Sequence, residues 1–194
     1  MARTKVFDEQ EVLEKALNLF WEKGYNATSA QDLVDTLGIS RSSMYDTYGD
    51  KHSLFIQALQ QYRKERIDPL INGVDDADNI EQYIKDVFIA VKLESLSETH
   101  SKGCFMVNSS VELAPSDDDV AIIVNNIMKD TITALTKAIK RGQKIGVFTN
   151  KFSAQSLAQF VFNSLNGLRV TVKLDTNKKM FEDIVNICLA TLKG

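Results

Sequence analysis

Apolar residues in this chain recur at intervals of three and four rather than two, a pattern that predicts helices and no sheet. The first clear stretch is "VFDEQEVLEKALNLFWEKG", where Val12, Leu13, Ala16, Leu17, Leu19 and Phe20 fall at helical spacing. Asp8 is placed to cap its start, Glu11 three residues on to complete a capping box, and Phe7 and Val12 to form a hydrophobic staple. Gly24 is placed to end it. A second helix is predicted from Thr28, paired with Gln31 in another capping box, through Leu33, Val34 and Leu37 to Gly38. A third starts at Ser40, turns Met44 inward and breaks at Gly49, and a fourth, capped by Asp50, carries Leu54, Phe55, Ala58 and Leu59. Beyond Pro69 and the polar run "NGVDDADN" the pattern lengthens into helices at roughly 79–97, 103–114, 117–143, 154–174 and 178–192. Pro115 and "GVFTN" separate neighbours among them, with Phe152, Ser153 and Leu157 as staple and cap for the fourth.

The expected fold is therefore all-α: an N-terminal three-helix module, 1–51, joined by a long helix to a larger helical domain, 52–194. The 194 residues suffice for a sizeable core, and 44% hydrophobic with 25% charged residues is ordinary for a folded chain. The two cysteines, Cys104 and Cys188, lie far apart and form no CxxC, so neither a disulfide framework nor a metal site is expected. No apolar run is long enough to cross a membrane and "MARTKVFDEQEV" has no signal core, so a cytoplasmic protein is expected. A net charge of -3 excludes bulk electrostatic attraction to nucleic acid but leaves room for a local cationic face.

"SRSSMYDTYGDK", Ser40 to Lys51, supplies such a face. Helix, tight turn, helix over Ala30–Tyr48 fits a DNA-binding helix-turn-helix, with Gly38 at the turn and Leu33, Leu37, Ile39 and Met44 where the helices meet. A helix entering a major groove about 12 Å wide needs small, polar and cationic outer residues. Arg41, Ser42 and Ser43 stand in its first turn to meet base edges and phosphates; Tyr45 and Tyr48 offer hydroxyls, and Lys51 a charge, to the backbone. Thr28 is expected to join exposed N–H groups in holding a phosphate. Residues 1–51 hold six basic and nine acidic residues, so few ionic contacts and a shallow salt dependence are expected, with Arg3 and Lys5 among the cations near the duplex.

The segment "TSAQDLVDTLGISRSSMYDTYGDKHSLF" resembles the N-terminal signature of the TetR family of bacterial transcriptional regulators, and "FNSLNGLRVTVKL" is similar to its regulatory domain. Val34 stands where that family usually has alanine, and Tyr48 where phenylalanine is common. The resemblance implies a homodimer on a palindromic double-stranded DNA operator, usually a repressor, released when a small-molecule effector enters the C-terminal domain. Operator contacts would fall on Thr28, Arg41, Ser42, Ser43, Tyr45, Tyr48 and Lys51.

Leu157, Val161, Leu165, Leu168 and Val172 form one stripe, and Phe181, Ile184, Val185, Cys188, Leu189 and Leu192 another. Two such helices per subunit could build a four-helix dimer interface, or the stripes could pack within one subunit. In "HSKGCFMVNSSVELA", Cys104, Asn108 and Glu112 share a helix face suited to an effector pocket, or belong to a core helix with incidental polar residues. Cys104, near His100, Lys102 and a helix start, is a candidate reactive thiol; Cys188 reads as packing. An enzyme is disfavoured because His52 and His100 lack the Glu-x-x-His pattern and no HExxH, P-loop, GxSxG or dinucleotide fingerprint occurs; no cofactor is implied. An adaptor gripping protein would want exposed aliphatic anchors that the third helix lacks.

Overall fold

The computed structural model describes residues 7–96, 102–174 and 177–194. Ten α-helices follow one another, with no strand among the described residues: α1 (Glu9–Lys23), α2 (Ala30–Leu37), α3 (Arg41–Tyr48), α4 (Lys51–Tyr62), α5 (Asp68–Asp76), α6 (Ile80–Leu96), α7 (Phe105–Glu112), α8 (Asp118–Lys144), α9 (Ala154–Thr171) and α10 (Lys178–Lys193). None of them is long and apolar enough to cross a membrane.

Capping follows the sequence with two exceptions. Asp8 accepts from the backbone N–H groups of Gln10 and Glu11, but Glu11 closes no box and instead pairs with Lys15 at 2.7 Å. The second helix starts one residue later than expected: Ser29, not Thr28, is its N-cap, and Asp32, not Gln31, closes the box by accepting from Ser29 N–H at 2.7 Å. A carboxylate three residues after the cap accepts that bond more strongly than an amide would. Gln31 is left to bond Asp35 at 2.8 Å.

Pro69 does not break the helical path that continues from α4. Between α4 and α5 lies one π-helical turn, Arg63–Ile67, where Asp68 N–H bonds back to the Arg63 carbonyl five residues earlier. This change of register lets Pro69, which has no N–H to give, sit in the first turn of α5. The polar run after Pro69 is thus helical to Asp76. Arg63 spans the turn, bonding Asp68 at 3.2 Å and Asp130 of α8 at 2.6 Å.

The core is continuous from α1 to α10. α1 packs on α4, where the Phe20 ring meets Phe55 edge-on at 5.2 Å between centroids, and α8 runs alongside α9. The stripe Leu157, Val161, Leu165 and Leu168 is buried inside this single subunit, as is Leu189, while Val185 is half-buried against the same core. The expectation that these residues form a dimer interface is corrected here, because the most apolar face of α9 is consumed by its own subunit. What α9 leaves outside is a second, sparser stripe, Phe160, Asn163, Gly167 and Val170, with Leu174 in the turn beyond it and Ile187 and Ala190 of α10 also exposed.

Candidate nucleic-acid interface

The reading unit is α2, a turn and α3. Gly38 makes the turn at φ 67°, ψ 24°, donating its N–H to the Val34 carbonyl at 3.1 Å. A Cβ there would touch nothing, so the left-handed backbone, not space, selects glycine. Leu33, Leu37 and Met44 are buried where the two helices meet. Ser40 caps α3 by accepting from Ser43 N–H at 3.1 Å, and its hydroxyl also lies 3.0 Å from that of Ser42 and 2.9 Å from that of Ser43.

This places small hydroxyls and one cation on the outer face of α3. Arg41 and Ser42 are exposed, Ser43 is half-buried, and Tyr45 is 40% exposed. Among the described residues Arg41 makes no ion pair, so its guanidinium is available to a base edge or phosphate. Lys51, at the start of α4, holds its ammonium 4.2 Å from the centre of the Tyr25 ring. Burial lowers its pKa, an effect that Glu112 and Asp32 oppose.

Two expected DNA contacts do not fit this geometry. Thr28 is fully buried and its hydroxyl donates to the Gly24 carbonyl at 2.5 Å, tying α1 to the start of α2. Tyr48 is 5% exposed and donates to the Glu9 carbonyl at 2.8 Å. Both hydroxyls hold the reading unit together, so the phosphate contacts assigned to them are withdrawn. Ser29, exposed at the start of α2, spends its hydroxyl on the cap, accepting from Asp32 N–H at 3.1 Å and donating to the Asp32 carboxylate at 2.7 Å. The S-x-x-D spacing is the sequence signal for this cap.

Tyr48→Phe is therefore expected to leave DNA affinity within about twofold while costing roughly 1 kcal/mol of stability, the usual worth of such a bond. Denaturant melts and DNA titrations of the variant check this. Burial, with the charges of Glu9 and Asp8, pushes the Tyr48 phenol up to about 12. A folded value above the unfolded one, near 10, gives stability that is complete below that pH and lost on rising toward 12. Stability of the wild type should accordingly fall across this alkaline window more steeply than that of the variant.

The candidate effector face also lands elsewhere. Glu112 accepts from Tyr25 N–H at 3.1 Å and Asn26 N–H at 2.8 Å, fixing the loop between α1 and α2 to α7. Gly24 makes room, since a Cβ there would stand 3.1 Å from the carboxylate. Asn108 donates to the Lys102 carbonyl and accepts from Lys173. Cys104 is fully buried as the N-cap residue of α7, its Sγ 3.2 Å from the Tyr62 hydroxyl. Cys104 thus meets Tyr62 of α4 in the core, while Asn108 and Glu112 are engaged with neighbouring loops. Asn108 and Glu112 border a cleft of about 390 Å³ between α1 and α7. A separate cavity inside the helical domain is lined by residues of α5, α6, α7, α8 and α9, including Leu70, Tyr83, Met106, Thr131 and Arg169. His100, Arg3 and Lys5 lie outside the described residues. Cys188 packs at 3% exposure, and burial pushes its thiol up.

Comparison with known proteins decides the family. Residues 12–58 match the model of bacterial regulatory proteins of the tetR family, and residues 86–187 match the tetracyclin repressor-like C-terminal domain. The chain belongs to the TetR family. It is a DNA-binding transcriptional regulator, and its α2–α3 unit is this TetR protein's helix-turn-helix. Over 99% of its length it is 29% identical to the uncharacterized HTH-type transcriptional regulator YezE of Bacillus subtilis, all of which is covered. It is 27% identical over 98% of its length to the HTH-type transcriptional repressor ComR of Escherichia coli, covering 90% of that protein. A solved TetR-family regulator, a cysteine-substituted CifR bound to 26bp operator DNA, shares the fold with a TM-score of 0.86 at 22% identity, covering 98% of this chain and all of that one.

Proposed function

We propose that this protein is a homodimeric repressor that reads a palindromic operator with α3 and lets go when a small molecule enters its helical domain. The observation that carries the reading is the outer face of α3: Arg41, Ser42 and Tyr45 exposed on a short helix whose inner residues, Met44 and Tyr48, lock it to the core. Those three side chains, with Ser43 and Lys51, are assigned to the operator. No catalytic role is assigned, and a regulator of this kind acts in the cytoplasm. The relatives named as repressors support the sign of regulation. The same face lacks the exposed aliphatic residues that a protein-gripping helix would use.

Dimerisation is assigned to the outward stripe of α9 and α10. Phe160, Val170 and Ile187 supply apolar anchors, and Gly167, with nothing within 4 Å of its absent side chain, allows a partner helix to approach closely. A twofold axis here would set two α3 helices about one duplex turn, ~34 Å, apart. Hydroxyl-radical footprinting tests this: two protected patches on one face of the duplex, about ten base pairs apart, are expected, and a single patch contradicts it.

Coupling has two physical routes out of the inner cavity. Ile67, in the π-helical turn, lines the cavity and belongs to the same helical path as α4. Met106 lines it from α7, whose other end carries the Glu112 latch on the loop that leads into α2. A ligand that displaces either wall favours another reading-head position by the ratio of its affinities for the two arrangements. Cys104 is sealed away from solvent, which favours reversible ligand entry over a reactive-thiol sensor.

The latch gives a local prediction. In Glu112→Ala, amide hydrogens of Tyr25 and Asn26 should exchange at least about tenfold faster, as expected for losing charge-assisted bonds. Amides in the middle of α1 should be unchanged. Unaltered exchange at Tyr25 and Asn26 would show that Glu112 does not hold the loop.

A further inference from the structure

Lys51 opens α4 beside three carboxylates, and each of them is occupied elsewhere. Asp50, the preceding residue, caps α4 by accepting from Ser53 N–H at 2.7 Å. Asp32 closes the α2 cap and pairs with Lys23 at 2.7 Å, and Glu112 holds the Tyr25 and Asn26 amides. Among the described residues Lys51 makes no salt bridge. What its ammonium meets is a ring: Nζ lies 4.2 Å from the Tyr25 centroid.

That ring is a fixed platform. It stacks on Phe20 at 6.1 Å between centroids and meets Phe55 edge-on at 5.1 Å, while Glu112 holds its backbone from α7. A lysine on its flexible stem must otherwise surrender much rotamer freedom when it meets a phosphate. The negative face of the ring attracts an ammonium without neutralising it, and the N–H donors turned away from the ring stay open. A carboxylate in the same place would cancel the charge that a phosphate needs. Burial, with the charges of Asp50 and Asp117, pushes the Tyr25 phenol up, so the platform stays neutral.

We infer that Tyr25 is a positioning residue for operator binding, its ring holding the Lys51 ammonium ordered and charged for a phosphate. This rests on the operator reading and adds to it a residue that lies outside α2, the turn and α3. Because Glu112 fixes the backbone of Tyr25, α7 of the helical domain reaches an operator contact through one intervening residue.

The test uses the full-length protein in anisotropy titrations against a duplex selected by the wild type, repeated over a range of salt. Lys51→Ala removes one phosphate contact per chain, so the slope of log affinity against log salt should become shallower by roughly 1.8 per dimer. Tyr25→Leu keeps bulk and loses the charged face of the ring. It should weaken binding roughly fivefold to thirtyfold, the worth of two exposed cation–π contacts, and move the salt slope toward that of Lys51→Ala. Tyr25→Phe keeps the ring and should stay within about twofold of the wild type. In the Lys51→Ala background Tyr25→Leu should add nothing further, whereas a merely structural tyrosine would weaken both backgrounds alike. Circular dichroism and thermal melts check the fold. Should Tyr25→Leu not fold, phenylalanine bearing one, two and three ring fluorines, introduced in place of Tyr25, keeps the shape while draining the negative face. Affinity should then fall stepwise in the presence of Lys51 and stay level in Lys51→Ala. Equal losses from Tyr25→Leu in both backgrounds, a fluorination series without effect, or Lys51→Ala with unchanged affinity and slope overturns the proposal. If Lys51→Ala weakens binding and Tyr25→Leu is simply additive to it, the operator reading stands and the positioning role fails alone. If the folded wild type selects no duplex, the operator reading fails and this role fails with it.

Discussion

Replacing Arg41 and Tyr45 together with alanine should abolish specific DNA binding and leave a folded dimer. Both side chains lie on the outer face of α3, and Tyr45 is 40% exposed, so removing them opens no cavity and breaks no core contact. The helix itself should survive, because its cap is the Ser40 hydroxyl on Ser43 N–H and its anchors are Met44 and Tyr48. A bidentate arginine contact to a base carries about 1–3 kcal/mol. Two copies act in a dimer, so arginine alone should account for roughly 30-fold to 10⁴-fold in affinity, with the two tyrosines adding to it. Anisotropy titrations against a selected duplex, beside a thermal melt and sedimentation, check the separation. Loss of DNA binding accompanied by unfolding would instead mean that α3 is structural.

The second large effect concerns the outward stripe. Phe160→Asp combined with Ile187→Asp should turn the dimer into a folded monomer at micromolar concentration and weaken operator binding at least about 100-fold, because two linked reading heads gain 10²–10⁴ over one. Phe160 is 40% and Ile187 64% exposed within the subunit, so neither aspartate is forced into its core. Across a twofold axis the substitutions set four carboxylates against one another. Leu165→Asp is the contrasting control: Leu165 is 1% exposed, and a charge there should unfold the chain. Sedimentation velocity distinguishes the outcomes, and a dimer that survives both outward substitutions would place the interface elsewhere.

These two predictions also mark what could be read from sequence. The helix-turn-helix was legible because its constraints are local: Gly38 at positive φ, Ser40 as cap, and Met44 one turn inside α3 are fixed by neighbours within a few residues. Which hydroxyls face outward was less so. Thr28 and Tyr48 have the right chemistry for phosphate, but a buried hydroxyl must find a partner, and theirs are carbonyls of Gly24 and Glu9. Only the packing of α1 reveals those partners.

Long-range choices were hidden for a related reason. On α9 both faces carry apolar residues, and periodicity identifies the stronger stripe without saying what covers it. The core took Leu157, Val161, Leu165 and Leu168, leaving the weaker stripe outside. Glu112 read as a polar fixture of a pocket, yet its partners Tyr25 and Asn26 are more than eighty residues away in the chain. Arg169, inside the cavity, escaped notice because nothing in "NGLRVTV" distinguishes a buried arginine from a solvated one. Pro69 misled in the other direction, since a π-helical turn absorbs it.

The most direct test of the account is selection of bound duplexes from a random DNA pool by the full-length, effector-free protein in excess nonspecific competitor. Enrichment of an inverted repeat, bound by two chains and lost in the Arg41→Ala, Tyr45→Ala variant, is the predicted result. Enrichment of no sequence by the folded protein, or of one that the double variant binds equally well, would contradict the assignment of α3 as the reading helix.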